Sequence, residues 1–208
     1  MEKHGQDGRW PTRIGQGAGD AGAPEVDDGG DGEERRLDVI SPDNLDRLLD
    51  EAKQPYRAMV RLQYALGMRP GEVCKMRRRD VRLAAGIVVT PEDGKTGART
   101  LYIDENGLAA NELRQWFEMR APGPYLFGGE QPIRVDTYAT TISRYCVRAG
   151  IPHVKPYVFR HSYATQMMNG GKTIADIAFA LGHASPATTA RYYLHPDPEI
   201  IRRLNKGR

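Results

Sequence analysis

From residue 37 onward, proline and glycine cut the chain into short segments whose apolar residues recur at helical spacing, with one break where the period turns to two. Such a chain must pack short helices against one another around a single small sheet. Ser41-Pro42-Asp43 reads as an N-cap with proline at the first helical position, and Leu45, Leu48 and Leu49 follow at helical spacing. A second helix begins near Pro55. Ala58, Met59, Val60, Leu62, Ala65 and Leu66 make it apolar on most sides, which predicts burial. It stops at Gly67, and Pro70-Gly71-Glu72 opens a third helix expected to run to about Arg79. GIVVT and RTLYI, joined by PEDGKTGA, read as a β-hairpin with Lys95 in its turn region. Helical patterns return over residues 108–119, 135–149, 158–168 and 174–181, the last two separated by Gly170-Gly171. Ser185-Pro186 repeats the opening signature before a short helix carrying Tyr192 and Tyr193. Beyond Pro196 and Pro198, IIRRLNK reads as a short basic end helix. The expected fold class is mainly α with a small antiparallel β-sheet (α+β).

The 208 residues suit one domain with an appendage. Residues 1–36 hold nine acidic and five basic residues and nine of the 23 glycines, with almost nothing to bury, so they are expected to form a disordered acidic tail. Residues 37–208 carry a net charge of +7, which permits nucleic-acid binding without demanding it. No apolar run approaches the ~20 residues of a membrane span, and no basic-then-apolar signal opens the chain. Cys74 and Cys146 cannot build a disulfide scaffold, so the expected setting is the cytoplasm with reduced thiols. Neither GxxxxGK[ST] nor GxGxxG occurs, and the histidines and cysteines lack metal-ligand spacing, so no cofactor or metal is expected.

Singly, Arg69, Lys95, Arg160 and His183 read as a helix-end arginine, a turn lysine, an arginine in a core-like helix and a capped histidine. Together they form a pattern. GMRPGE, GKTGAR, YVFRHSYAT and LGHASPATTARYY resemble, in order and spacing, the boxes of the tyrosine recombinase (phage integrase) family. The resemblance covers residues 38–208 and implies the family's catalytic-domain fold over residues 37–195. It also implies a C-terminal tail helix, residues 196–208, exchanged between protomers. The implied activity is site-specific cleavage and rejoining of double-stranded DNA through a covalent 3′-phosphotyrosine, by a homo-oligomer (a tetramer) on nucleoid DNA, without metal or ATP. The residue types suit that chemistry. Two guanidiniums, Arg69 and Arg160, can fork onto the oxygens of a phosphodiester and stabilise its pentacoordinate state. Tyr192, nine residues after His183, is the implied nucleophile, with Tyr193 one step late. Lys95 matches the general acid for the leaving oxygen, and His183 the second histidine position. Glu72, one turn after Arg69, orients or neutralises that arginine or forms a plain surface ion pair.

Two positions depart from the pattern. Tyr157 stands three residues before Arg160, where the family usually has histidine. A tyrosine hydroxyl, with a pKa near 10, is a poor proton acceptor at neutral pH, which shifts that duty to His183, Lys95 or water. His153 is near in sequence, but its offset is wrong for the same face, so it reads as structural. The family's usual amino-terminal DNA-clamping domain has no counterpart in residues 1–36, which leaves room for a naturally minimal recombinase, a separate DNA-binding partner or a noncatalytic remnant. A type IB topoisomerase shares the same residue set. A metal-dependent nuclease would use Asp80 with Asp93-Gly94-Lys95, leaving Arg160, His183 and Tyr192 unexplained.

Overall fold

Ser41 does what its place before Pro42 predicts. Its hydroxyl accepts the Asn44 N–H at 3.3 Å and opens α1 (Pro42–Glu51), which buries Leu45, Leu48 and Leu49. The computed structural model describes residues 39–92, 97–120, 122–183 and 185–193, the last three by backbone only. The acidic segment 1–36, Lys95 and the end segment 196–208 lie outside the described residues.

α2 (Tyr56–Leu66) is buried on most sides, as its composition requires, and ends at Gly67 in the left-handed conformation. α3 (Pro70–Lys75) is shorter than its sequence suggests. Helix was expected to Arg79, but Met76 turns to extended backbone, buries its side chain and gives its carbonyl to the Leu126 N–H at 2.7 Å. That bond from 50 residues away replaces the next helical one. A 3-10 turn over Arg78–Asp80 follows, held by the Asp80 carboxylate on Arg77 N–H at 2.8 Å.

The sheet has three antiparallel strands in order, β1 (Val81–Arg82), β2 (Ile87–Val89) and β3 (Thr100–Tyr102). Val88 pairs with Val81 on one side and Leu101 on the other, and these three side chains cover the core. The expected hairpin is β2–β3. β1 escapes a periodicity argument because two residues cannot display alternation.

α4 (Leu108–Met119), α5 (Val135–Ala149), α6 (Tyr157–Asn169), α7 (Ile174–Leu181) and α8 (Pro186–Tyr193) complete the chain. α2 packs against α4 and α6, α1 against α5, and α7 against α6 and α8. Ile40 N–H donates to Ser162 Oγ at 3.0 Å, tying the start of the fold to α6. The fully buried Tyr138 hydroxyl donates to Gln63 Oε1 at 2.9 Å, and Gln63 Nε2 donates to the Met68 carbonyl at 3.0 Å. That buried relay fixes the turn in which Arg69 sits, one residue on. Cys74 and Cys146 are buried free thiols, and burial pushes Cys74 up to about 12. Among the described residues no helix is long and apolar enough to cross a membrane.

Candidate active site

Two helices end at the same place. Gly67 closes α2 and Gly182 closes α7, both with positive φ (62° and 66°). At the α7 end, His183 N–H returns to the Ala178 carbonyl and Gly182 N–H to that of Phe179, leaving the carbonyls of Leu181 and Gly182 free to face inward. Gly67 also needs to be glycine for space. A Cβ there would sit 2.9 Å from Leu181 Cδ2 and run into the Tyr163 ring.

Arg160, on α6 and only 4% exposed, fills the gap between these helix ends. Its Nη1 donates to the Gly67 carbonyl at 2.7 Å and its Nη2 to the Leu181 carbonyl at 2.8 Å. The partial negative charge at both helix C-termini therefore falls on one guanidinium. Burial, then the charge of Arg69, lowers its pKa to about 10, which still leaves it protonated at neutral pH.

Arg69 is the residue before α3 and reaches the same α7 end, its Nη2 donating to the Gly182 carbonyl at 3.3 Å. Glu72, one turn on, takes the Arg69 backbone N–H on Oε2 at 2.7 Å and Arg69 Nη1 on Oε1 at 2.9 Å. The plain surface pair considered for Glu72 is thus a buried one, and it also closes the first turn of α3. A third guanidinium, Arg99, grips the same carboxylate from the end of the hairpin. Burial raises the pKa of Glu72, but the bonds from Arg99 and Arg69 outweigh it and hold the carboxyl below its ordinary range.

His183 follows Gly182 directly. Arg160 Nη2 donates to its Nε2 at 3.0 Å, and its Nδ1 lies 2.7 Å from Thr189 Oγ1. A guanidinium can only donate, so Nε2 carries the lone pair and Nδ1 the proton, given to Thr189. Thr189 is fully buried on α8, which couples that helix to the imidazole. Burial and then the charges of Arg160, Arg69 and Arg99 press the His183 pKa down to about 4. Its value in an unfolded chain is near 6.5, so the unfolded chain gains a proton first as pH falls. The contribution is fully present above about 6.5 and is lost between there and about 4. Urea midpoints of the wild type and His183→Gln should diverge across that window, the wild type losing more. Parallel curves would contradict it.

Tyr157, at the start of α6, is 51% exposed and lines a surface cleft with Pro70, Ser143, His153 and Lys155. His153 was expected off that face. Residues 151–155 run without helix into α6, so the helical offset does not apply and both rings border one cleft. Asp80, invoked for a metal site, is engaged in its local cap. α8 carries the backbone of Tyr192. Arg69, Arg160 and His183 are thus brought together. Sequence reasoning did not single out Arg99, Thr189 or the carbonyls of Gly67, Leu181 and Gly182. Arg99 stood inside GKTGAR and Thr189 inside LGHASPATTARYY, but nothing local marks their partners.

The family model for the phage integrase family matches residues 38–199. A tyrosine recombinase of Pseudothermotoga lettingae is 27% identical over 179 residues, covering 83% of this chain and 62% of that protein. Tyrosine recombinase XerA of Thermococcus kodakarensis is 32% identical over 164 residues, covering 76% and 54%. This chain therefore spans between half and two thirds of the length of these relatives. The crystal structure of XerA recombinase superposes with a TM-score of 0.67 at 27% identity, covering 82% of this chain and 65% of that one. The Tn1549 transposon integrase in complex with transposon right end DNA gives 0.68 at 15% identity, covering 85% and 67%, a likeness of fold. With the matched family model spanning α1 to α8, this chain belongs to the phage integrase family, the tyrosine recombinases.

Proposed function

We propose that this chain cleaves and rejoins DNA strands as the catalytic domain of a site-specific tyrosine recombinase. The observation that carries the reading is the convergence of Arg69, Arg160 and His183 on the closed end of α7, with an excess of positive charge over the single Glu72 carboxylate that the described residues bring to it. Such a site receives an anion and stabilises added negative charge on it. Tyr192 Oη attacks the scissile phosphorus, and the P–O5′ bond breaks with its electron pair going to O5′. The family's pattern gives Lys95 the delivery of a proton to that oxygen. The tyrosine proton passes to water, because Tyr157 is protonated at neutral pH and the Nε2 lone pair of His183 already accepts from Arg160 at 3.0 Å. Arg69 and Arg160 hold the nonbridging oxygens. The covalent phosphotyrosine conserves the bond energy, so neither ATP nor a metal enters the balance.

The same reading makes the partner double-stranded DNA in the nucleoid and the working form a homo-oligomer, a tetramer. Residues 196–208 are its exchanged tail and residues 1–36 an appended acidic segment. Incubation with a nicked suicide substrate tests the reading. A covalent protein–DNA adduct should form at full yield in EDTA. An adduct that requires magnesium, or DNA that is bound and never cut, refutes it. The second outcome would instead support a noncatalytic DNA-binding remnant.

A further inference from the structure

Resting on that reading, we infer that Arg99 is a positioning residue of the reaction, which acts on Arg69 through Glu72. Its backbone is pinned where the hairpin returns. Arg99 N–H donates to Thr90 Oγ1 at 2.9 Å, and its carbonyl accepts the Thr90 N–H at 2.9 Å. From there the side chain crosses to α3 and forks onto both oxygens of Glu72, Nη1 to Oε1 at 2.5 Å and Nη2 to Oε2 at 2.9 Å. A planar guanidinium makes that two-point contact and an ammonium does not.

With the two bonds from Arg69, each Glu72 oxygen then holds two donors. A carboxylate has about four acceptor positions, so Glu72 is saturated and cannot turn. The charge balance follows the same geometry. Glu72 is 4% exposed and Arg99 14%, so water screens neither well. Arg99 neutralises Glu72, and the positive charge of Arg69 is left for the phosphate. Without Arg99, the buried carboxylate would have Arg69 as its only paired cation among the described residues and would cancel its charge.

The packing is made for this side chain. Gly182 has no Cβ, and one added there would lie 2.9 Å from Arg99 Cδ and 3.2 Å from its Nε. Arg99 Nε is buried with no hydrogen-bond partner among the described residues. That orphaned donor is a cost which an apolar residue at a purely structural position would not carry. One side chain thus joins the hairpin, α3 and the turn before His183.

The test is the first-order rate of adduct formation on the suicide substrate at saturating protein, with DNA affinity measured in parallel. Arg99→Ala and Arg99→Lys should each slow cleavage by about 10²-fold, the scale of a misplaced catalytic group, with little change in affinity. Glu72→Gln should then partly restore the Arg99→Ala protein, because it removes the charge that cancels Arg69. A double variant slower than either single one, or an Arg99→Lys rate equal to wild type, overturns the inference. The DNA-free protein supplies a second readout, the ¹⁵Nε relaxation of Arg69. The side chain should be rigid in the wild type, altered in Arg99→Ala and altered again when Glu72→Gln is added. An Arg69 signal indifferent to Arg99 would also overturn the inference. A wild type that forms no adduct refutes the functional reading instead, and leaves the relaxation result to decide Arg99.

Discussion

Tyr192→Phe should abolish the covalent adduct, slowing cleavage by roughly 10⁴-fold or more, as removal of an attacking oxygen does. Phenylalanine keeps the ring and removes only Oη, so the fold and DNA affinity should be unchanged. The choice of Tyr192 rests on the family's spacing, nine residues after His183. Thr189 on α8 is buried and bonded to His183, and residues three apart share a helix side. Tyr192 is three residues on and Tyr193 four, and both spacings return to that side, so the neighbour is the necessary control. Tyr193→Phe should cleave at nearly the wild-type rate, since adjacent residues point about 100° apart and one phosphate cannot accept both. Mapping the DNA-linked peptide settles the matter. An adduct that survives Tyr192→Phe and disappears in Tyr193→Phe would move the nucleophile by one residue.

Arg160→Ala should lose about 10²–10³-fold in cleavage, the effect of removing one preorganised donor from a developing anion. The structure adds a second effect that phosphate binding alone would not predict. Arg160 also satisfies the carbonyls of Gly67 and Leu181, and alanine leaves both buried and unpaired. Bonds from a charged donor are worth about 1.5–3 kcal/mol each, so the variant should unfold at about 3 kcal/mol less than the wild type. Arg160→Lys separates the two effects. It retains a charge between the helix ends but cannot fork, so most of the stability should remain while cleavage stays about 10²-fold low. Equal loss of stability in both variants, with cleavage intact in the lysine form, would make Arg160 a structural residue alone.

The helices were legible where local chemistry decides them. Ser41 and Pro42 start α1 and the glycines at 67 and 182 stop α2 and α7, because caps and left-handed turns are properties of single residues. The end of α3 was not legible, since the Leu126 N–H that competes for Met76 lies far along the chain. The site divides in the same way. Arg69, Arg160 and His183 could be chosen by residue type and order. Arg99 could not, since Glu72 lies 27 residues before it, and backbone carbonyls carry no residue type to read. The burial of single polar side chains was also beyond reach. Nothing in YVFRHS indicates that Tyr157 is exposed while Arg160, one turn on, is almost fully enclosed.

The seat of Arg160 between two helix ends has a bearing on safety. A chain with the function proposed above would be dangerous when half folded, because a nick made by an incomplete site could not be resealed. Here the guanidinium proposed to meet the phosphate is also the clasp that joins α2 to α7. If either helix frays, the clasp opens and the donor geometry is lost with it. On that proposal a damaged or partly folded copy loses its site before it can cut, through the same contact that builds the site in the intact one.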